Sequence, residues 1–479
     1  MDQAQEVEAV KASVAKHFPV YDVKVAYEAI TFFISVDTKT LETKFDELRK
    51  ELGGKGYIPI LEFKGGEYTL AVVRKPKLNR RAIWINVALL CITSITTIVA
   101  GTILWSGYNN SPADQVYTLD NVLWGTVFFA IPLMTILGVH ELSHFLMSKR
   151  YGVDASLPYF IPSFPPLGTF GAFISMRDPM PSRRALIDIG AAGPIGGLIV
   201  TIPVAIIGLW LNSQGVPHPG VAPGGAMEVS IPIFYQLMQV LIPTPADVYL
   251  HPMAFAAWVG FFVSAINLLP AGQLDGGHIA RGLLGANAKY VSYGAIVFLL
   301  SLGVLFYFGW LIFAALILFL GTRHPSPLND VSKLDAKRIG VGALVVLILI
   351  GSFVLVPISI VPSEESFTVQ VVGSNNTTMA AGQTIQFHCL INNTGTVDYN
   401  LTMNVNQVPA GWSAVLYLSN STSANATSTL VLGMPYQSTA DIVLEVKAPA
   451  TAIPGERVIP MLASSTDTTV TTEFSINIV

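Results

Sequence analysis

The stretch from Val122 to Met147 reads VLWGTVFFAIPLMTILGVHELSHFLM. As a helix this apolar run is long enough to cross the roughly 30 Å hydrocarbon layer of a bilayer. Near its end it carries His140, Glu141 and His144. Positions i and i+4 of a helix share one face, so both imidazoles can reach one metal ion. Glu141 then stands beside a metal-bound water as a general base, and zinc brings the pKa of such a water to about 7. The bland alternative is two core histidines in a membrane helix. Ionisable groups within hydrocarbon are costly unless they serve something, which favours the metal.

A catalytic zinc site takes a third protein ligand and keeps one position open for water. His140 lies nine residues before Lys149, hence roughly 13 Å inside the end of its helix. The third ligand must come from similar depth on another span, where ionisable residues are few: Asp188, Asp275 and His278. Asp275 belongs to NLLPAGQLDGG, residues Asn267 to Gly277, in which Pro270 and Gly272 break the helix and free backbone carbonyls. Unwound backbone at membrane depth is tolerated where it lines a protein cavity. Asp275 is therefore the expected third ligand. Asp188 is expected to pair with Arg183 or Arg184, and His278 either to support the metal ligands from behind or, the favoured reading, to sit at the water interface. His17, His218, His251, His324 and His388 are isolated and call for no chemistry.

The whole chain suits a membrane. Of 479 residues 52% are hydrophobic and 12% charged, against roughly a quarter charged in soluble domains. The net charge of −4 leaves no basic footprint, so nucleic acid is not the expected partner. Cys91 and Cys389 can form neither a disulfide framework nor a thiolate cage. No charged, apolar and cleavable leader opens the chain, so no secretory signal peptide is expected. Apolar runs cover 82–105, 122–147, 185–211, 251–274, 290–320 and 339–361. Tyr290 to Leu320 is too long for one ordinary span, and Gly309 predicts two short, tightly turned crossings or a re-entrant pair. Segments 1–81, 148–184, 271–289 and 322–338 hold 14, 5, 2 and 4 of the 27 Lys and Arg, whereas 106–121 and 213–250 hold none. By the positive-inside rule these counts predict a multi-pass protein of the cell membrane with a cytosolic N-terminus, seven crossings and an outer C-terminus. The Asn-x-Ser/Thr acceptors at Asn109, Asn375, Asn376, Asn392, Asn400, Asn420 and Asn425 all fall on the outer side of that plan.

Residues 1–81 read as a small α/β domain, with helices near 3–17 and 40–52 and strands near 21–27, 29–36, 57–63 and 67–73. It ends in Arg74, Lys75, Lys77, Arg80 and Arg81, an anchor for anionic headgroups. From Ser363 to Val479 short alternating runs separated by turns predict an antiparallel β-sandwich. Its stretch from Asn392 to Trp412 resembles immunoglobulin-like domains of prokaryotic surface proteins, which implies a binding or spacer module. The expected architecture is a polytopic α-helical membrane protein: an N-terminal α/β domain (1–81), a transmembrane domain (82–361) and an outer all-β immunoglobulin-like sandwich (363–479).

HELSH in one span with NLLPAGQLDGG about 125 residues later in another resembles the site-2 protease family of intramembrane zinc metalloproteases. The resemblance implies zinc held by His140, His144 and Asp275, Glu141 as base, and Asn267 as an amide that contacts substrate. It covers roughly residues 10–361. Pro158 to Pro166, Gly168-Thr169-Phe170-Gly171-Ala172-Phe173 and Arg323 to Asp330 make it similar to the plastid, gravitropism-associated branch, from which the C-terminal sandwich departs. The implied substrate is a membrane protein with a transmembrane segment, cut within the bilayer near the cytosolic face. Leu157 to Phe173 is a candidate re-entrant loop. Gly168, Thr169, Phe170 and Gly171 either present an extended edge for strand addition to unwound substrate or belong to a buried connector. Gly193-Pro194-Ile195-Gly196-Gly197 is expected to let helices approach closely. A catalytically silent receptor acting through the outer sandwich is the competing reading, disfavoured because Glu141 is present. A metal transporter would need a second ligand cluster, and a prenyl-protein protease a glutamate as third ligand.

Overall fold

The computed structural model describes residues 3–26, 29–76, 82–215, 226–245, 248–321, 324–405, 407–421 and 426–479. Lys77, Arg80 and Arg81 of the basic run, His218, Arg323 and the acceptor Asn425 lie outside the described residues. The chain divides into two units, Met1–Gly215 with Ser230–Pro357, and Val216–Val229 with Ile358–Val479.

In the first unit α1 (Gln3–His17) and α2 (Leu41–Gly54) accompany a sheet of β1 (Val20–Ala26), β2 (Ala29–Ile34), β3 (Tyr57–Lys64) and β4 (Glu67–Arg74), in the order β1-β2-β4-β3. The periodicities explain the packing. α2 buries Leu41, Phe45, Leu48 and Leu52 at helical spacing, and β2 buries alternate residues Ile30, Phe32 and Ile34 in the same core. Leu328, from far along the chain, completes that core. Its carbonyl accepts the Leu61 N–H at 2.7 Å, and Asn329 bridges to both Leu61 and Ser182. Ion pairs of Arg184 with Glu42 at 2.6 Å and Lys75 with Asp178 at 2.5 Å tie the sheet region to the helical region.

The helical region starts with α3 (Ile83–Tyr108). Next, α4 (Leu119–Gly125), a π-helical turn (Thr126–Ala130) and α5 (Ile131–Arg150) run on as one rod. A hairpin follows, β5 (Tyr159–Pro162) and β6 (Thr169–Phe173), and then α6 (Arg183–Ser213). After β7 (Ala226–Val229) come α7 (Ile233–Leu241) and α8 (Pro252–Asn267). α9 (Asp275–Leu284) and α10 (Ala288–Leu305) are joined by a 3-10 turn and followed by α11 (Gly309–Leu320) and α12 (Ala336–Ser352). Among the described residues four rods are long and apolar enough to cross a membrane: Ile83–Tyr108, Leu119–Arg150, Arg183–Ser213 and Asp275–Leu305. They fit a membrane protein that also carries a β region.

Two apolar runs differ from their sequence reading. The run 251–274 is helical only to Asn267, and residues 271–289, expected as a loop, are mostly the helix that Asp275 opens. Pro270 lacks the N–H a continuing helix needs, and Gly272 takes φ +57. The run 339–361 leaves the helix after Ser352; beyond Pro357, Ile358–Val361 form β8 against β7, as β-branched residues favour. The long run from Tyr290 divides into α10 and α11 around Phe306–Phe308.

In the second unit β9 (Phe367–Val372), β10 (Asn376–Met379), β11 (Thr384–Asn393) and β12 (Tyr399–Asn404) precede β13 (Ser413–Leu418), β14 (Thr429–Met434), β15 (Thr439–Lys447), β16 (Gly455–Ser464) and β17 (Thr469–Ile478). Two sheets result, ordered β10-β17-β16-β12-β14 and β13-β15-β11-β9. Alternate residues of both, such as Phe387, Cys389 and Ile391 from one and Leu401, Met461 and Phe474 from the other, meet in one core.

Candidate active site

His140, Glu141 and His144 occupy consecutive turns of α5, and all three are buried. Their partner arrives by a different route. α8 stops at Asn267, the chain turns through Leu268–Leu274, and α9 begins at Asp275. The turn is tight enough that a β-carbon on Gly276 would lie 2.0 Å from the Leu268 carbonyl oxygen. This reversal carries the Asp275 carboxylate to the histidines. His144 Nε2 lies 3.2 Å from His140 Nε2 and 3.2 Å from Asp275 Oδ2, and His140 Nε2 lies 3.3 Å from that oxygen.

These separations match a shared cation. Ligands about 2.0–2.1 Å from a tetrahedral zinc stand about 3.3–3.4 Å from one another. The hydrogen bonding agrees. His144 Nδ1 donates to the Ile189 carbonyl at 2.7 Å, so in the neutral ring Nε2 carries a lone pair. An ionised Asp275 oxygen likewise offers only lone pairs. Such groups repel until a cation stands between them. The donor set, two imidazoles and a carboxylate, suits zinc.

α6 lets these rings sit so close. A β-carbon on Gly193 would stand 2.0 Å from His144 Nε2, one on Gly197 3.2 Å from His140 Nδ1, and one on Gly196 2.1 Å from Ser143 Oγ. The sequence marks these glycines for helix approach; the structure presses two of them against the histidines themselves.

The cleft is about 580 Å³ and is lined by His140, Glu141, Asn267, Asp275, His278 and His324, with residues 172–180 along one wall. The Asn267 amide nitrogen is 3.5 Å from His140 Nε2. The Ile174 N–H bonds to the Glu141 carboxylate, while Ser175 and Arg177 bond back to Ser156 and Asp154. One edge of this extended segment is therefore backed by protein, while on the other the Ile174 N–H points to Glu141.

Gly168, Thr169, Phe170 and Gly171 precede that wall. Gly168, at φ +73, packs on α3, where a β-carbon would lie 2.5 Å from the Thr96 carbonyl oxygen. Its carbonyl accepts the Thr96 hydroxyl at 2.6 Å. Thr169 is buried and donates to Ile161, Gly171 faces Ile161 across the hairpin, and the Phe170 ring is exposed. Gly168 and Thr169 seat the hairpin, and the lining of the cleft starts at Ala172.

Three expectations need correction. Asp188 pairs with Arg338 at 2.5 Å and accepts the Tyr151 hydroxyl at 2.6 Å. Arg183 instead donates to the Gly282 and Leu283 carbonyls, and Arg184 is drawn to Glu42. His278 and His324 are a bonded pair on the cleft wall, not an interfacial residue and an isolated one. Burial pulls the His324 imidazole below its usual range. Their 46-residue separation hides the pair from any local pattern. His251 accepts the Met253 N–H as the N-cap of α8 and stacks edge-on against Trp105, Tyr108 and Phe128; Pro252 directly after it is the signal in the sequence.

Residues 128–310 match the family model described as Peptidase family M50. This stretch is a peptidase family M50 domain. The chain is 30% identical over 251 residues to Probable zinc metalloprotease EGY2, chloroplastic, of Arabidopsis thaliana, covering 50% of this chain and 42% of that one. To Probable zinc metalloprotease EGY1, chloroplastic, of the same plant it is 34% identical over 177 residues, 35% of this chain and 32% of that one. With Probable zinc metalloprotease EGY3, chloroplastic, of Oryza sativa subsp. indica the figures are 28% over 229 residues, 43% and 36%. The chain thus spans less than half the length of these curated relatives.

Proposed function

We propose that this M50 protein is an intramembrane zinc metalloendopeptidase that hydrolyses peptide bonds within or beside transmembrane segments of membrane proteins. The observation that carries this reading is the convergence of His140, His144 and Asp275 within 3.2–3.3 Å of one another, with Glu141 in the same cleft.

His140, His144 and Asp275 would hold the zinc. When bound, zinc supplies a water acidic enough to lose a proton near pH 7 and polarises the scissile carbonyl. Glu141, kept in place by the Ile174 N–H, takes the proton of the attacking water and hands it to the leaving nitrogen. Asn267 offers an amide N–H to the carbonyl oxygen as charge gathers there. The buried surroundings of these groups strengthen each of these interactions. A peptide bond inside a helix is shielded by the helix's own hydrogen bonds, so the substrate must first unwind. Apart from the Ile174 N–H, which Glu141 engages, the edge of residues 172–176 turned away from Ser156 and Asp154 would offer an unwound strand the backbone partners that lipid cannot supply.

In this reading the N-terminal α/β region is cytosolic, and the C-terminal β region is an extracytoplasmic immunoglobulin-like sandwich that binds partners. The Lys and Arg distribution and the Asn-x-Ser/Thr acceptors favour that orientation.

The test is Glu141→Gln in full-length protein reconstituted with zinc and a single-span substrate. Zinc content should stay near one per chain, while cleavage falls by about 10²-fold or more, as for loss of a general base. Unchanged cleavage would remove Glu141 from the mechanism, and wild-type protein without zinc-dependent cleavage would end the peptidase reading.

A further inference from the structure

The His278–His324 pair stands outside the metal-binding set, yet both rings line the cleft. Its hydrogen bonds have a direction that the chemistry decides. His324 Nδ1 lies 2.7 Å from the Pro325 carbonyl, which can only accept, so Nδ1 carries the hydrogen. His324 Nε2 is then the lone-pair nitrogen of a neutral ring. It lies 2.5 Å from His278 Nδ1, so His278 Nδ1 must be the donor. His278 Nε2 is left with a lone pair, and among the described residues no hydrogen-bond partner to it is recorded. The nearest strong cation on α9, Arg281, is engaged with Asp330 and Ser326.

An extended peptide has polar groups along both edges. Residues 172–176 line the cleft together with Gln273–Asp275, His278 and His324, so a peptide whose one edge pairs with 172–176 leaves the polar groups of its other edge for the latter set. In a buried cleft an N–H left without an acceptor is costly. Asp275 and His278 are three residues apart on α9, so they share a face, and Asp275 is committed to the metal-binding cluster.

We infer that His278 is a substrate-contacting residue whose Nε2 accepts a backbone N–H on the far edge of the unwound peptide, and that His324 is the positioning residue that locks its tautomer. The inference rests on the peptidase reading above. It assigns the cleft an extended, backbone-read substrate, gripped on both edges. Specificity would then follow how readily a transmembrane segment unwinds more than its side chains.

The experiment uses full-length, zinc-loaded protein in lipid vesicles and a synthetic single-span peptide that the wild type cuts. In a series of analogues one backbone N–H at a time, never that of the scissile bond, is replaced by an ester oxygen. At one position the ester should raise the wild-type KM about 10-fold, the loss of one buried hydrogen bond, with kcat little changed. His278→Leu should show the same KM rise with the parent peptide and no further rise with that ester. His278→Gln, which keeps an acceptor oxygen near the Nε2 position, should regain sensitivity to it, whereas His278→Asn should not. His324→Phe should raise KM with zinc content unchanged. If His278→Leu fails to fold, the Gln and Asn pair still decides the matter. Additive effects of His278 substitution and every ester, or equal behaviour of Gln and Asn, would overturn the inference while leaving the peptidase intact. A wild type that cuts no peptide in a zinc-dependent way would remove the peptidase reading first, and this inference with it.

Discussion

Gly193 of α6 faces the ring of His144 so closely that a β-carbon would stand 2.0 Å from Nε2. No rotamer change of a methyl group relieves such an overlap; the ring or the helix must move. Gly193→Ala is therefore expected to weaken zinc binding about 100-fold, as losses of ligand support do, and to abolish cleavage with it. Gly138→Ala on α5 meets open space and should leave zinc content unchanged. Metal analysis of the two purified variants checks both outcomes, and a zinc-replete Gly193→Ala would refute the packing argument.

Arg338 holds α12 to α6 through Asp188, with the Tyr151 hydroxyl donating to the same carboxylate. Both charged side chains are less than a fifth exposed. Arg338→Met strands Asp188 and should lower stability by about 2 kcal/mol, short of the 3–5 kcal/mol of fully buried pairs. Adding Asp188→Asn should recover part of the loss, because no uncompensated charge remains. Thermal unfolding of the single and double variants in one detergent is the measurement; an unchanged midpoint in Arg338→Met would contradict it.

In the N-terminal region Glu51 accepts from Lys55 at 2.9 Å and faces His17 at 3.3 Å. The Lys55 hydrogen bond, followed by that of Ser13, holds its carboxyl down at about 2. A carboxylate whose folded pKa is depressed adds stability above its unfolded pKa of about 4.3, and that stability is lost as pH falls through the folded value. Glu51→Gln should therefore loosen α2 at pH 6 and make little difference near pH 2, where the carboxylate is half protonated. Hydrogen exchange of residues 41–54, compared with wild type at each pH, reads this directly.

Cys389 sits in the core between the two C-terminal sheets, fully buried, and burial pushes its thiol up to about 12. At pH 8 it should present roughly 10³-fold less thiolate than an ordinary cysteine. In a Cys91→Ser background, alkylation of the native protein should be negligible and become complete in denaturant. Rapid native labelling would show that the sheets do not close over this residue.

Much of this protein is legible locally. The i, i+4 histidines with their glutamate, the apolar lengths of the rods and the alternation of strands such as Thr384–Asn393 are all carried by neighbours in the chain. The break at Pro270 and Gly272 is equally local, and it is what makes Asp275 available. The relations that make a site of these parts are not local. Asp275 meets His144 across 131 residues, His278 finds His324 across 46, and Asp188 takes Arg338 across 150 in place of the arginines a turn away.

The sequence by itself determined the chemistry on offer and the elements that carry it, because side-chain type and backbone periodicity are short-range properties. Only the tertiary structure decided which groups face one another. Helix against helix, that choice turns on glycine-sized gaps such as Gly193 and Gly197, on the sharp reversal between α8 and α9, and on the need of every buried polar group to find a partner somewhere in the fold.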